Sequence, residues 1–295
     1  MGRNQRRNDG RDGGRKGPQA ERRPWSPPTD RARSERPTPE HPADERRPGQ
    51  ASRRPASGAS TADWLWGWHA VTAALSNPSR APPRRLVATP EQARRLDALA
   101  DGSARPEILE AADIARLLPA GAAHQGVAMK PGDLESLSLD EIAEPASGVL
   151  VMLDQVTDPQ NVGAVVRSAA AFGARGVIVQ DRHSPAFAGA LAKAAAGALD
   201  VTPHTRVVNL ARALERLEEL GWRAVGLDGA ASETLAEVLD GRPTVLVLGS
   251  EGEGLRRLVG EHCDALARIP MPGGFESLNV SAAAAIALYE ATRPR

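Results

Sequence analysis

The chain of 295 residues is 41% hydrophobic, which is enough for a substantial core and indicates about two domains. Its formal net charge is zero, but residues 1–60 contain 15 Lys/Arg against 8 Asp/Glu, and the remaining residues contain 22 against 29. No apolar run is long enough to cross a bilayer, no apolar leader opens the chain, and Cys263 is the single cysteine. These features exclude a disulfide framework and predict a protein of a reducing, cytoplasmic compartment with no membrane association.

Residues 1–60 are predicted to form a disordered basic arm. They are rich in Arg, Pro, Gly, Ser and Asp, and Trp25 is their only aromatic residue. Such a segment buries too little apolar surface to offset its chain entropy. Its excess positive charge favours non-specific binding to nucleic-acid phosphates, and an inert solvated extension is the alternative.

A small α/β domain is predicted over residues 61–130, where the composition changes abruptly. The spacing of apolar residues, Pro and Gly predicts a short helix that ends at Asn77, a strand over 85–88, helices over 90–99 and 111–117, and a strand over 125–129. Trp64, Trp66 and Trp68 are interpreted as core residues, with base stacking as the alternative.

Residues 148–295 alternate apolar strand patterns with amphipathic helix patterns, after a predicted linker over 131–147 that contains a short helix from Ser138. Strands are predicted over 148–153, 177–180, near Val201, and over 223–227, 244–248 and 267–269. Helices are predicted over 161–172, 185–196, 209–220, 255–262 and 280–289. Such alternation predicts an α/β fold with a parallel sheet that is covered on both faces.

Two of these strands run into glycine-rich turns. The first turn, GSEGEG, occupies residues 249–254, and the second, IPMPGG, begins at Ile269 and leads into SLNVS at residues 277–281. Glycine lets the backbone approach a ligand closely, and open α/β sheets bind ligands at the carboxyl ends of their strands. A small-molecule site is therefore expected here, with ordinary strand-to-helix connections as the alternative. The spacing is neither G-x-G-x-x-G nor a P-loop, which disfavours nicotinamide and nucleotide triphosphate cofactors.

Metal and triad chemistry have no support in the sequence. The six histidines show no metal-ligand spacing, and His262 and Cys263 are merely adjacent. No G-x-S-x-G or H-E-x-x-H motif occurs. We therefore expect neither a metal site nor covalent catalysis.

A third stretch, LDQVTDPQNVGAVVRSA at residues 153–169, completes a pattern with LGSEGEG at 248–254 and IPMPGGFESLNVS at 269–281. In order and spacing these motifs resemble those of the SpoU (TrmH) family of RNA ribose 2'-O-methyltransferases, in the SPOUT superfamily. The resemblance covers about residues 148–292. It implies a trefoil-knotted α/β methyltransferase domain over residues 148–295, which binds S-adenosyl-L-methionine in the knot and forms a homodimer.

The segments GWHAVTAAL at residues 67–75 and GAAHQGVA at 121–128 are similar to the ribosomal-protein-L30e-like substrate-binding domain that precedes the catalytic domain in many members. This domain order is closest to the enzymes that methylate a guanosine of 23S ribosomal RNA. Two alternatives stay open: methylation of a tRNA guanosine, and a non-catalytic RNA-binding role in ribosome assembly. The presence of Arg167, Glu251 and Asn279 argues against a silent protein.

Carried over residue by residue, the resemblance assigns catalytic or substrate-site roles to five side chains and cofactor contacts to three backbone positions. The catalytic set is Asn161, Arg167, Glu251, Ser277 and Asn279. The cofactor set is Gly249, Ile269 and Leu278. The resemblance implies that Arg167 activates the ribose hydroxyl and contacts an RNA phosphate. Because arginine is almost never deprotonated, stabilising the developing alkoxide is physically easier for it than acting as a base.

Two further expectations concern Glu251 and the subunit interface. Glu251 is expected to orient Arg167 or a substrate amide, or to act as a carboxylate at a helix N-terminus. Residues 273–276, GGFE, contain more glycine and acidic residues than the family version.

The homodimer face is expected on the helices over 161–172 and 280–289. Its surface residues are predicted to be Val165, Ala169, Ile286 and Leu288.

Overall fold

The computed structural model describes residues 63–99, 105–273 and 277–294, and these residues form two β-sheets with flanking helices. The predicted arm, residues 1–60, lies outside the described residues, as do residues 274–276 of the second glycine-rich turn. No helix within the described ranges is long and apolar enough to cross a membrane.

The smaller sheet is formed within residues 65–130. Its strands are β1 (Leu65–Trp66), β2 (Arg85–Ala88), β3 (Glu107–Ile108) and β4 (Val127–Lys130), and its helices are α1 (Trp68–Ser76), α2 (Pro90–Asp97) and α3 (Ala111–Leu117). The strand order is β1-β4-β2-β3, with β4 antiparallel to its two neighbours and β3 parallel to β2. The predicted strand over 85–88 and helix over 111–117 are confirmed. β1 and β3 were not predicted, because two residues are too few to show a strand pattern.

The core of the smaller sheet contains two of the three predicted core tryptophans. Trp64 and Trp66 are 2% and 7% exposed, and they lie in one buried cluster with Ile114. Trp68 is only partly buried, and the guanidinium carbon of Arg95 lies 3.9 Å from its ring centroid. The core interpretation is therefore confirmed for Trp64 and Trp66, whereas Trp68 packs against the core but stays partly exposed.

Residues 131–147 connect the two sheets and contain α4 (Leu139–Ala143), which confirms the predicted short helix. Ser138 and Glu141 form a capping box at its start. A buried ion pair also joins the region of the smaller sheet to that of the larger one. In this pair Arg80 Nε lies 2.5 Å from Asp200 Oδ1.

The larger sheet has six parallel strands. They are β5 (Val149–Leu153), β6 (Gly176–Gln180), β7 (His204–Val207), β8 (Arg223–Leu227), β9 (Thr244–Leu248) and β10 (Ala265–Ala267). Their order is β10-β8-β9-β5-β6-β7. The neighbouring strands β5 and β9 are buried along their whole length, as uninterrupted apolar sequences predict for strands covered on both faces. The predicted α/β fold with a parallel sheet is confirmed.

Helices cover both faces of this sheet. They are α5 (Pro159–Ala171), α6 (Gly189–Ala195), α7 (Leu210–Glu219), α8 (Leu235–Val238), α9 (Arg257–Glu261) and α10 (Val280–Thr292). α5, α6, α8 and α10 contribute to one apolar cluster, and α4, α7 and α9 contribute to the other. α5 and α6 approach closely because Gly163 has no side chain: a Cβ there would lie 2.4 Å from the Leu191 carbonyl oxygen.

Some predicted elements differ from the structure. The strand near Val201 is wrong: Val201 is 69% exposed and follows a 3-10 helix (Ala198–Asp200), whereas β7 begins at His204. β7 has no apolar run to reveal it, because its two buried residues are His204 and Thr205. α6 begins at Gly189 rather than at residue 185, and β10 ends at Ala267, where the last strand was predicted to begin. α8 was not predicted, because four residues are too few for a helical period.

The expected dimer face is wrong for three of its four residues. Val165, Ala169 and Leu288 are fully buried within the chain, because α5 and α10 pack against each other and against the sheet. Ile286 is 42% exposed, and Tyr289 on the same helix is 57% exposed. The large exposed apolar side chains of α10 are therefore Ile286 and Tyr289.

Candidate functional site

The turn that follows β9, residues 249–254, is a closed loop shaped by glycine. The amide of Ser250 donates to the Gly254 carbonyl at 3.1 Å, and the amide of Gly254 donates to the Ser250 carbonyl at 3.0 Å. A Cβ on Gly249 would lie 2.1 Å from the backbone of Gly254, so no other residue fits unless the loop shifts. Gly252 and Gly254 have φ angles of 94° and 68°, in the left-handed region that favours glycine. This loop holds Glu251 between its two ends.

A cavity opens at the carboxyl ends of β8, β9 and β10, as expected for a ligand site in an open α/β sheet. It contains about 620 Å³ of empty space, part of which is open to solvent. Apolar side chains that include Leu248 and Val280 contribute to its wall. The structure also brings five of the sequence-predicted site residues together there. They are Gly249, Glu251, Ile269, Ser277 and Leu278.

Asp228 lines the same cavity and was not singled out from the sequence. It follows β8 directly, so it lies at the carboxyl end of the strand beside β9. Its Oδ1 accepts a hydrogen bond from the Ala230 amide at 2.8 Å, which restrains the carboxylate. The available signal was an Asp-Gly pair immediately after the predicted strand over 223–227.

Three side chains from distant parts of the chain form a hydrogen-bonded group at this cavity, which we call the amide cluster: Asn161, Glu251 and Asn279. Glu251 Oε1 accepts from Asn161 Nδ2 at 3.0 Å and from Asn279 Nδ2 at 2.7 Å. Asn279 Nδ2 also lies 3.0 Å from Asn161 Oδ1, to which it donates. Each of the three sequence motifs supplies one member, so the motifs meet at one point in the fold.

Helix N-termini place the two asparagines of the amide cluster. Asp158 caps α5 by accepting from the amides of Gln160 and Asn161. Asn161 therefore lies in the first turn of α5. Asn279 is the N-cap of α10: its Oδ1 accepts from the Ser281 amide at 2.9 Å, and its Nδ2 remains free to bind Glu251.

Glu251 also lies at the N-terminus of α10, where its Oε1 accepts from the Val280 amide at 3.3 Å. A carboxylate is favourable at this position because a helix N-terminus carries partial positive charge. The geometry thus corresponds to the helix-terminus interpretation of Glu251. Within the described ranges Glu251 forms no hydrogen bond or ion pair with Arg167.

Arg167 is exposed on α5, six residues beyond Asn161, a separation of about 9 Å along a helix axis. Among the residues that the structure describes, Arg167 has no hydrogen-bond or ion-pair partner. Its guanidinium is therefore available to a ligand that approaches this side of α5.

An ion pair next to the glycine-rich loop, of which the carboxylate is buried, was also not predicted. Asp154 follows β5 directly and is fully buried, and its Oδ1 accepts from Arg256 Nε at 2.7 Å. Arg256 lies just beyond the loop and begins α9 as its N-cap. The sequence signal for Asp154 alone is a charged residue placed directly behind an entirely apolar strand.

The single cysteine is not a reactive thiol. Burial raises the pKa of the Cys263 thiol to about 12, so the thiol stays protonated at neutral pH. Among residues 63–99, 105–273 and 277–294, no group of three or more His, Cys, Asp or Glu could hold a metal ion.

Comparison with known proteins identifies the family. Residues 148–289 match the SpoU rRNA Methylase family. The 23S rRNA (guanosine-2'-O-)-methyltransferase RlmB of Ralstonia nicotianae is 40% identical over 246 residues, which cover 78% of this chain and 95% of that protein. The protein of the same name from Xylella fastidiosa is 41% identical over 241 residues, which cover 79% of this chain and 96% of that protein.

Solved structures show the same fold. The SpoU methyltransferase AviRb from Streptomyces viridochromogenes, in complex with the cofactor AdoMet, matches with a TM-score of 0.66 and 27% identity, covering 78% of this chain and 88% of that chain. The AdoMet-bound rRNA methyltransferase from Sinorhizobium meliloti matches with a TM-score of 0.65 and 26% identity, covering 77% of this chain and 85% of that chain. The recognition of the family from its three motifs is confirmed. The chain belongs to the SpoU rRNA methylase family and is a methyltransferase that uses S-adenosyl-L-methionine.

Proposed function

We propose that the protein transfers a methyl group from S-adenosyl-L-methionine to the ribose 2'-hydroxyl of a guanosine in 23S ribosomal RNA. The observation that carries this proposal is the amide cluster, in which side chains of all three motifs meet, and of which Glu251 lines the cavity. The choice of substrate rests on the relatives named as 23S rRNA guanosine methyltransferases. Their match covers 78% of this chain, more than residues 148–289 alone can supply, so the similarity extends into the region of the smaller sheet.

The cavity suits the cofactor in its chemistry, because apolar side chains and a few polar groups line it. We assign the backbone of Gly249, Ile269 and Leu278 to the adenine, and the carboxylate of Asp228 to the ribose hydroxyls, as acidic residues bind ribose in other α/β sheets. When bound, S-adenosyl-L-methionine supplies a methyl group that its sulfonium charge already activates. The side chains of the protein then have to position the RNA hydroxyl and stabilise its charge.

On the RNA side, we assign to Arg167 the stabilisation of the developing alkoxide and the binding of a phosphate. A guanidinium stays protonated and binds phosphate oxygens well, and Arg167 is exposed without a partner among the described residues. The amide cluster holds the ribose. Glu251 Oε1 is occupied by protein donors, whereas Oε2 accepts from none of the described residues and is free for a substrate hydroxyl. Ser277 lines the cavity and supplies one more hydroxyl.

The proposed domain organisation follows the family. It comprises a basic arm over residues 1–60, an L30e-like RNA-binding domain over 61–130, a linker over 131–147 and a knotted methyltransferase domain over 148–295. The knot is carried over from the resemblance to the family. A ribosomal RNA substrate also agrees with the expected cytoplasmic location.

The L30e-like domain has a surface that suits unpaired RNA, which we call the Trp68 surface: Trp68, Arg95, Gln125 and Lys193. Arg95 lies over the Trp68 ring, and Gln125 Oε1 accepts from the Trp68 amide at 2.9 Å. Lys193 belongs to α6 of the larger sheet and donates to the Ala123 carbonyl at 3.1 Å. Among the described residues neither Arg95 nor Lys193 is paired with a carboxylate. An aromatic ring beside unpaired cations is the combination that binds bases and phosphates of single-stranded RNA.

The proposed homodimer uses the exposed apolar side chains of α10. Ile286 and Tyr289 lie on this helix one turn apart, and the ring of Tyr289 meets the ring of Phe172 edge-on at a centroid distance of 6.2 Å. Aromatic and aliphatic side chains of this kind are typical of interface centres. Because α10 begins at the amide cluster and packs on α5, a dimer formed here would place a second subunit near the catalytic side chains.

Mapping of ribose 2'-O-methyl groups in RNA from a strain that lacks the protein tests the proposed function. We expect one guanosine of 23S ribosomal RNA to lose its methyl group. The wild-type protein should restore the methyl group, and the Arg167→Ala variant should not. Loss at a tRNA guanosine with unchanged 23S ribosomal RNA would show the tRNA activity instead, and no change in either RNA would favour a non-catalytic role in ribosome assembly.

A further inference from the structure

We propose that Arg256 is a positioning residue, which holds the loop of residues 249–254 and thereby sets the position of Glu251 in the amide cluster. This inference rests on the proposed function. Arg256 touches neither the cavity nor the amide cluster among the contacts of the described residues, so its effect on catalysis would be transmitted through the loop.

The first support is the way in which Asp154 binds Arg256. Both carboxylate oxygens are used: Oδ2 accepts from the Arg256 backbone amide at 2.9 Å, and Oδ1 accepts from its Nε at 2.7 Å. The backbone amide of Asp154 in turn donates to the Leu248 carbonyl at 2.8 Å. The residue after β5 therefore holds both the start of the loop, at Leu248, and the residue beyond its end, at Arg256.

The second support is electrostatic. Asp154 has no exposed surface, and an ionised carboxylate is tolerated in such a place only when a cation and hydrogen-bond donors compensate it. Arg256 supplies both, while its own side chain remains 40% exposed. The buried carboxylate of Asp154 therefore restricts Arg256 to one position. A surface ion pair would not restrict it in this way.

A third contact fixes the direction of the guanidinium. Arg256 Nη2 donates to Gln180 Oε1 at 3.0 Å, and Gln180 Nε2 donates to the Val208 carbonyl at 3.3 Å. Gln180 is the last residue of β6. Arg256 is therefore connected to the ends of β5 and β6, the two strands that follow β9 in the sheet.

The loop itself needs such an anchor. Two of its residues, Gly252 and Gly254, have conformations that only glycine adopts readily, so its backbone has little intrinsic preference for one shape. Between its ends, the side chain of Glu251 reaches outside the loop, to Asn161, Asn279 and Val280. A displacement of Arg256 would therefore move Glu251 relative to the two asparagines.

Kinetics of three variants test this role with ribosomal RNA as substrate. Arg256→Met removes the cation at nearly constant length, and Arg256→Lys keeps the charge but loses the forked geometry. Arg257→Met is the matched control, because the neighbouring Arg257 pairs with Glu261 on the surface of α9. We expect Arg256→Met to lower kcat by about ten-fold or more, since small misplacements of catalytic groups have effects of up to about a hundred-fold. The kcat of Arg256→Lys should lie between that of Arg256→Met and that of the wild type. The kcat of Arg257→Met should match that of the wild type.

The same substitutions in a Glu251→Gln background separate positioning from general damage. If Arg256 acts through Glu251, Arg256→Met should lower kcat much less in this background than in the wild type, because coupled residues are not additive. If Arg256→Met lowers kcat by the same factor in both backgrounds, the inference is overturned. If Arg256→Met does not fold, Arg256→Lys carries the same comparison.

Hydrogen exchange provides a readout that does not depend on turnover. Arg256→Met or Arg256→Lys should accelerate exchange of the Ser250 and Gly254 amides, and Arg257→Met should leave it unchanged. Unchanged protection of these amides in both Arg256 variants would overturn the inference. Absence of methyl transfer by the wild-type protein would instead contradict the proposed function, and the exchange experiment would still decide the role of Arg256.

Discussion

The cofactor side and the RNA side of the candidate site are built from different kinds of groups. On the cofactor side, the cavity is formed mainly by apolar side chains and backbone, with the carboxylate of Asp228 in its wall, and Gly249 packs so tightly that a Cβ would lie 2.1 Å from the backbone of Gly254. On the RNA side, the amide cluster and Arg167 present amide, carboxylate and guanidinium groups. Steric changes around Gly249 should therefore damage cofactor binding, whereas changes of charge or hydrogen bonding in the amide cluster or at Arg167 should damage methyl transfer.

The largest effect is expected from Arg167→Ala. Loss of one preorganised charge contact at a developing anion lowers turnover by about a hundred-fold or more. Binding of S-adenosyl-L-methionine should stay within a few-fold of wild type, because Arg167 does not line the cofactor cavity. Calorimetry and a tritium-transfer assay measure the two quantities separately.

Arg212→Ala is a suitable control for this prediction. Arg212 is also an exposed arginine, but it lies on α7, a helix that packs on the other face of the sheet. Its substitution should leave turnover unchanged. Retention of more than about a tenth of the wild-type rate by Arg167→Ala would contradict the role assigned to this side chain.

Gly249→Ala tests the opposite side of the comparison. The added methyl group would collide with the backbone of Gly254, and the loop, which contributes to the cavity wall, would have to shift. Overpacking of this kind costs about 1–3 kcal/mol, so we expect the Kd for S-adenosyl-L-methionine to rise by about ten-fold. At saturating cofactor, kcat should fall much less than in Arg167→Ala.

Gly260→Ala is the matched control for the steric argument. Gly260 lies in α9, and a Cβ there would meet nothing within 4 Å. Alanine in a helix is more favourable than glycine by about 0.5–1 kcal/mol, so this variant should be at least as stable as wild type. An unchanged cofactor affinity in Gly249→Ala would mean that the loop does not form the cofactor site.

Ile286→Asp tests the surface that replaces the expected dimer face. A carboxylate in the middle of an apolar interface would be desolvated without a partner, and we expect the dimer dissociation constant to rise by about ten-fold or more. Sedimentation of wild-type and variant proteins over micromolar concentrations measures this shift. Glu290→Gln, on the same helix but paired with Arg293, should leave the dimer unchanged. A wild-type monomer at these concentrations would contradict the proposed dimer.

Much of the larger sheet could be predicted because buried parallel strands have uninterrupted apolar sequences. β8 and β9 agree with their predicted bounds, and β5 differs by one residue. The prediction failed where polar residues are buried or an apolar residue is exposed. β7 is buried at His204 and Thr205, whereas the apolar Val201 is exposed because it ends a 3-10 turn. No local sequence pattern distinguishes such positions, because their burial depends on how the rest of the chain packs around them.

The candidate site shows the same limit. The motifs named Asn161, Glu251 and Asn279, but their mutual hydrogen bonds depend on where α5, the loop and α10 meet in the fold. Asp154 and Arg256 are 102 residues apart, so nothing in their local sequences predicts their pairing. The dimer face, which was expected mainly from the resemblance to the family, likewise included Val165, although α10 and the sheet enclose this residue.

Trp68→Ala is expected to have the smallest effect, and it extends the comparison to the Trp68 surface. The ring of Trp68 is partly buried beside Arg95, and Trp68 neither lines the cofactor cavity nor bonds to the amide cluster, so its substitution should not change the chemistry of methyl transfer. Stacking of one base on an aromatic ring contributes about 1–3 kcal/mol, and the lower value corresponds to a rise of about five-fold in the KM for RNA at constant kcat. The thermal unfolding of the variant should be measured alongside its kinetics, because Trp68 also packs on the core.

Arg95→Ala should give a smaller rise in KM than Trp68→Ala. Arg94→Ala, on the same helix but without the contact to Trp68, should give no rise in KM. Equal KM values for Trp68→Ala and wild type would show that RNA does not contact this surface.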